Sequence, residues 1–164
     1  MQLLQLVYLM LPAYFANMAA PFARFWPGWN RPISRRWLGD HKTVVGFMLG
    51  VAAGMLTAYL QSRIPWSPQE FDSANWPAVG CAQGFGAMAG DAAKSFVKRR
   101  IGIAPGHSWM PADQLDFIVG ALLLGWPWLA LRWVDVALIL AITFVAHIVV
   151  NQISFRLGIR DTKR

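Results

Sequence analysis

Charge is scarce in this chain of 164 residues. Asp, Glu, Lys and Arg make up 14% of it, where an ordinary soluble domain carries about 25%. With 56% hydrophobic residues clustered in long blocks, a water-soluble globule is a poor reading. Acids are scarcer still: eight Asp and Glu stand against fifteen Lys and Arg, for a net charge of +7. That excess does not point to nucleic acid, because the bases lie between apolar blocks rather than along one amphipathic face. The lone Cys81 excludes an intrachain disulfide. Set between Gly80 and Ala82, it reads as a small buried residue. Three scattered histidines and one cysteine also exclude a zinc site of ordinary spacing. The first apolar block has no basic flank before it and no small-residue cleavage site after it. Residues 1–20 therefore read as a retained span rather than a cleaved signal. Internal repeats and low-complexity tracts are absent.

What is present is a series of apolar blocks. The fold expected is an all-α, polytopic membrane helix bundle of about five transmembrane helices, forming one integral-membrane domain over residues 1–164. The spans fall at about 3–20, 43–61, 74–90, 117–131 and 136–154. Pro12 interrupts the first. Gly46, Gly50 and Gly54 form a small-residue row on the second, suited to close helix packing and offering a surface for a homodimer. The fourth is short for a hydrocarbon core of roughly 30 Å, so its helix is expected to extend back through Asp113. Most tryptophans sit near span ends, as interfacial anchors do.

The connections alternate in charge. Thirteen of the fifteen bases fall in residues 21–42, in residues 91–116 or in the C-terminal tail. The positive-inside rule makes those two loops cytoplasmic, with the N-terminus outside and the C-terminus in the cytoplasm. The protein is thus expected to be a multi-pass protein of the cell (inner) membrane.

Chemistry concentrates in the second of those loops. Asp91 directly follows an uncharged stretch, Ser73 to Gly90, and Asp116 directly precedes another, Phe117 to Leu131. Topology requires bases on this side, but it does not require acids at the edges of apolar spans, where they are functional candidates. As a helix, the segment after Gly90 places Asp91, Lys94, Ser95 and Lys98 within an arc of roughly 100°. Asp113 and Asp116, three apart, share a face as well. Hard carboxylate oxygens suit Mg²⁺, and Lys and Arg suit phosphates.

Gly90-Asp91-x-x-x-Ser95-x-x-Lys98-Arg99 followed by Asp113-x-x-Asp116 resembles the signature of CTP-dependent lipid cytidylyltransferases, the CDP-diglyceride synthases among them. Three further segments extend the likeness: Leu11-Pro12-Ala13-Tyr14-Phe15-Ala16-Asn17, Gly39-Asp40-His41-Lys42-Thr43, and His147-x-x-x-Asn151 with Leu157-Gly158. Together, and in this order, they resemble the smaller CDP-archaeol synthase family. The resemblance implies a nucleotidyltransferase in which a lipid phosphate attacks the α-phosphorus of CTP. Pyrophosphate leaves, and a CDP-lipid is made for phospholipid biosynthesis. The lipid would be an archaetidic-type ether lipid phosphate or phosphatidic acid. Asp91, Asp113 and Asp116 would hold Mg²⁺. With Lys98 they would form the catalytic set. Lys42, Thr43, Lys94, Ser95, Lys98 and Arg99 would hold CTP or the lipid phosphate, in a site facing the cytoplasm. Asn17, Asp40, His147 and Asn151 are accessory candidates.

Two other readings remain open on sequence. A CTP-dependent lipid kinase would release CDP instead of pyrophosphate. A small transporter or channel component would carry polar groups through the depth of several spans, whereas here the acids gather at one side.

Overall fold

The computed structural model describes residues 3–26, 28, 30–64, 71, 73–104, 107 and 109–156, without the side chains of 151 and 153–156. The described residues are helical, and their only ladder contacts are two isolated bridges, Pro32 to Thr43 and Phe71 to Leu129. The first apolar block folds as α1 (Leu3–Leu9) and α2 (Leu11–Ala19), which runs on into a 3-10 segment, Ala20–Phe25. Pro12 accounts for the break. It has no N–H to give the Tyr8 carbonyl four residues back. The Ala13 N–H turns to Met10 O at 3.1 Å, which leaves Leu9 O without its usual donor as well. The axis bends by 50°.

Two orphaned carbonyls inside hydrocarbon would be costly, and neighbouring helices satisfy both. Gln61 Nε2 donates to Tyr8 O at 2.6 Å, and Gln83 Nε2 donates to Leu9 O at 3.1 Å. These two glutamines, 2% and 0% exposed, come from α4 (Val44–Ser62) and α5 (Trp76–Arg100). The bent helix is thereby anchored to the two helices it packs on.

Helix α5 is the centre of the bundle. It packs against α2, α4 and α6 (Ala112–Gly125), while α7 (Trp133–Arg156) lies against α6 and α1. A short helix α3 (Arg35–Leu38) in the first long connection rests on the far end of α5. There the Trp37 and Phe96 rings stand 5.6 Å apart, and the Arg100 guanidinium lies 4.4 Å from the Trp37 ring centre.

Small residues set the closeness of these contacts. A Cβ on Gly54 would stand 2.8 Å from Gly84 Cα, so α4 and α5 touch backbone to backbone. The Gly46, Gly50 and Gly54 row is buried inside the chain against α2 and α5, and does not offer the dimer surface expected of it. Between α5 and α6 the approach is tighter. A Cβ on Gly86 would run into the Gly120 carbonyl, and one on Gly90 into the Asp116 carbonyl.

By length and apolarity α4 and α7 can each cross a membrane, and the bent pair of Leu3–Leu9 with Leu11–Phe25 is long and apolar enough to do so if it acts as one span. Outward side chains such as Met48, Leu56, Leu123 and Val145 are exposed, as a hydrocarbon solvent allows. The third apolar block does not end its helix at Gly90. The helix continues to Arg100, because the charged segment contains no helix breaker and Lys98, Arg99 and Arg100 suit its C-terminal dipole. The fourth helix begins at Ala112, taking in Asp113, and ends at Gly125 with Pro127 just beyond. Cys81, expected to be buried, is exposed on the outer face of α5, since Gly80 and Gly84 already occupy the face toward α4.

Gly90→Val is expected to cost at least about 1–3 kcal/mol of stability by overpacking the α5–α6 contact. Gly28→Ala, where an added Cβ meets nothing within 4 Å, is expected to leave stability unchanged. Thermal unfolding in detergent or nanodiscs checks both. In the same assay, Gln83→Leu is expected to lose about 1–3 kcal/mol by leaving the Leu9 carbonyl unpaired.

Candidate active site

The α5–α6 contact continues past Gly90 into polar territory. Asp91, Lys94 and Lys98 recur at i, i+3 and i+7 on α5, and Asp113 and Asp116 face them from the first turns of α6. Lys94 Nζ sits among all three acids: 2.7 Å from Asp116 Oδ2, 3.1 Å from Asp113 Oδ1 and 3.2 Å from Asp91 Oδ1. Lys98 Nζ lies 3.1 Å from each Asp113 oxygen and donates to His107 O at 2.5 Å. Lys42, just before α4, pairs with Asp91 Oδ2. Three carboxylates and three ammonium groups thus form one cluster, supplied by a loop and two helices.

Backbone donors fix two of the acids. Trp109 N–H donates to Asp113 Oδ2 at 2.5 Å, and Phe117 N–H donates to Asp116 Oδ1 at 2.7 Å. Asp116 Oδ2 is sealed from solvent and, although close to Lys94, has no hydrogen bond of good geometry among the described residues. The electrostatics follow from burial and neighbours. Burial works to raise the Asp91 carboxyl, but Lys42 and Lys94 more than offset it and hold it below its ordinary range. Asp113 is likewise lowered: burial works upward, and the Trp109 N–H with Lys94 and Lys98 works downward more strongly. For Asp116 burial wins, aided by the Asp91 charge, and its pKa rises to about 6. Burial works against the charge on Lys94, yet the surrounding acids raise its pKa above the ordinary value.

The cluster borders a cavity of about 750 Å³. Asn17, Lys42, Thr43 and His147 line it beside the five cluster residues, and Asp40 lies at its edge, paired with Arg35 at 3.3 Å. Thr43 also caps α4, its Oγ1 accepting from Gly46 N–H at 3.1 Å. Two of the expected residues are not brought to the cavity. The Ser95 hydroxyl is turned back to Asp91 O at 2.9 Å within its own helix, and Arg99 Nη1 donates to Ile103 O just past the end of α5. The Asn151 side chain and the Leu157-Gly158 segment lie outside the described residues. Asn30 and Gln114 also line the cavity and were not foreseen. A signal for Gln114 was present: an uncharged polar side chain placed between two acids at the head of an apolar run.

Among the described residues, no three His, Cys, Asp or Glu side chains converge on one ion-sized point. The acids close around Lys94 instead. In kind they still fit a hard divalent cation: carboxylate oxygens only, already drawn about one cationic position, with Asp116 Oδ2 lacking a hydrogen bond.

In metal-free protein the Asp116 carboxyl is expected to titrate near pH 6, with Asp91 and Asp113 titrating below the ordinary 3.8. Lys94→Met is expected to push Asp116 higher still, since Lys94 opposes the rise that burial imposes. Isotope-edited infrared spectroscopy of the carboxyl band across pH reads both shifts.

A family model described as CarS-like, CDP-archaeol synthase, matches residues 1–163. The CDP-archaeol synthase of Methanopyrus kandleri is 38% identical, over 94% of this chain and 90% of that protein. The one from Methanospirillum hungatei is also 38% identical, over 92% and 98%. That of Aeropyrum pernix is 36% identical, over 96% and 90%. A solved structure of an intramembrane enzyme for archaeal membrane lipids biosynthesis superposes with a TM-score of 0.76 at 32% identity, covering 92% of this chain and 94% of that one. Likeness in sequence and in fold along nearly the whole length has one reading: the chain belongs to the CDP-archaeol synthase family.

Proposed function

We propose that this chain is a membrane cytidylyltransferase that transfers CMP from CTP to an archaetidic-type ether lipid phosphate. The observation that carries the reading is the cluster of Asp91, Asp113 and Asp116 with Lys42, Lys94 and Lys98 on the wall of a nucleotide-sized cavity. The archaeal relatives favour the ether lipid over phosphatidic acid.

An oxygen of the lipid phosphate forms a bond to the α-phosphorus of CTP, and the bond from that phosphorus to the bridging oxygen of the β-phosphate breaks. Pyrophosphate leaves with the bond's electron pair. The protein's task is to gather and align anions, which requires no covalent intermediate. Lys42, Lys94 and Lys98 bind phosphate oxygens as point charges. Thr43 Oγ1, while accepting from Gly46 N–H, keeps its own proton to donate to phosphate. Asp91, Asp113 and Asp116 would hold Mg²⁺, directly or through water. When bound, the ion neutralises charge building up on the phosphates. Asp113 also orients Lys98.

The topology that serves this chemistry has five spans: α1 with α2 as one bent crossing, then α4, the apolar part of α5 before Asp91, the part of α6 after Asp116, and α7, with residues 91–116 outside the membrane. The N-terminus is outside and the C-terminus in the cytoplasm of a cell membrane. The basic loops and the cavity then face the compartment that supplies CTP. All of residues 1–164 form one domain.

Asp91→Asn and Asp116→Asn are each expected to lower turnover with CTP, Mg²⁺ and ether lipid phosphate by about 100-fold or more. Chelation with EDTA is expected to stop turnover, and added Mg²⁺ to restore it. Wild-type rates in both variants would sink the assignment of the acids. Release of CDP in place of pyrophosphate would make the enzyme a lipid kinase instead.

A further inference from the structure

Gln114 stands apart from the charged cluster it borders. It lies between Asp113 and Asp116 on α6, is 4% exposed, and lines the cavity. Among the described residues, no group donates to its carboxamide oxygen. The oxygens of Gln61 and Gln83 are without a donor as well, but those side chains are held by bonds from their Nε2 to Tyr8 O and Leu9 O, whereas Gln114 borders the cavity, where a ligand can supply the missing donor.

The reactants offer few donors. A triphosphate and a lipid phosphate are acceptors throughout, and a diether glycerol phosphate carries no free hydroxyl. If CTP is the nucleotide, as the function above holds, the donors the reactants bring are on the cytidine, namely the ribose hydroxyls and the exocyclic N4 amine; a water on the ion is the other donor at hand. Helix geometry favours the nucleoside over the lipid. Gln114 is level with the two acids along α6 but turned about 100° from Asp113, beside the phosphate-binding face rather than deeper in the apolar run. Its terminal torsion is broad, so the amide can turn toward the cavity without leaving a staggered well. A carboxamide presents an acceptor and a donor side by side. It can pair with the N4–H and N3 edge of cytosine as glutamine pairs with the corresponding edge of adenine.

We propose that Gln114 is the residue by which this enzyme selects cytosine, its carboxamide oxygen accepting from the N4 amine. Uracil presents an acceptor at that position and a donor at N3, the reverse order, so the carboxamide would have to turn over to pair with it, and the selection is the cost of that turn in the bound complex. A single discrimination of this kind is worth roughly ten- to hundredfold in kcat/KM.

The test uses full-length protein in nanodiscs with an ether lipid phosphate and three nucleotides: CTP, UTP and the 2-pyrimidinone ribonucleoside triphosphate, which lacks the 4-amino group. Equilibrium binding of each nucleotide without lipid is measured in parallel. Wild type is expected to prefer CTP to both analogues by roughly ten- to hundredfold. Gln114→Met is expected to lose most of its rate with CTP and little with UTP or the analogue, so that the preference collapses. Equal use of all three nucleotides by wild type overturns the proposal, and that result does not depend on the variant folding. An equal loss with every nucleotide in Gln114→Met also overturns it, assigning Gln114 to structure or to the ion instead. Failure of wild type to bind CTP or to form CDP-lipid overturns the functional reading and this proposal with it.

Discussion

The closeness of α5 to α6 is the constraint on which the site depends. Gly86 and Gly120 meet backbone to backbone, and Gly90 lies against the Asp116 carbonyl, with no room for a Cβ at any of the three. That spacing brings short side chains within ion-pairing reach across two helices. Asp113 and Asp116 are among the shorter charged residues, and Lys94 touches both only because the axes run so near. The same glycines that pack the apolar part of the interface therefore set the geometry of its polar end. In membranes small residues are the usual means of close helix approach, because apolar burial gives no preference for helix over lipid.

A second economy governs the interior. A charge or backbone carbonyl placed there is costly without a partner, and the partners come from elsewhere in the chain. Gln61 and Gln83 receive the two carbonyls that Pro12 leaves orphaned. Tyr14 and Thr143 share a hydrogen bond of 2.7 Å between α2 and α7. At the polar end, three ammonium groups meet three carboxylates, so the cluster approaches neutrality where isolated charges would be very costly. Asp116 is the least compensated of the three acids, which is why burial raises its pKa while Asp91 and Asp113 are lowered.

Much of the helical order was legible from the sequence because its signals are local. Apolar runs mark the helices, Pro12 marks the break in the first, and the spacing of Asp91, Lys94 and Lys98 marks one face. The apolar run ends at Gly90 but charge does not stop a helix, and α5 carries Asp91, Lys94 and Lys98 on to Arg100 as their shared face requires. What was misjudged also has local causes. Cys81 was placed inside because its neighbours are small, although adjacent residues on a helix point about 100° apart. Ser95 and Arg99 match the motif, and where their polar groups turn, to the Asp91 and Ile103 carbonyls, is a matter of geometry that the motif does not carry.

By itself, the sequence determined an all-helical chain built of apolar blocks, the family, and the set of acids and bases able to carry the chemistry. Composition, periodicity and motif order depend on nearest neighbours along the chain, and these can be read without coordinates. Only the tertiary structure decided which charges meet. Lys94 among three acids, Lys42 reaching Asp91 across 49 positions, and the bent first helix held by Gln61 and Gln83 depend on distances between distant segments. So does the lining of the cavity, where Gln114 and Asn30 appear and Ser95 and Arg99 do not. Those distances follow from how closely glycine lets the helix axes approach, a quantity that no single segment of the chain encodes.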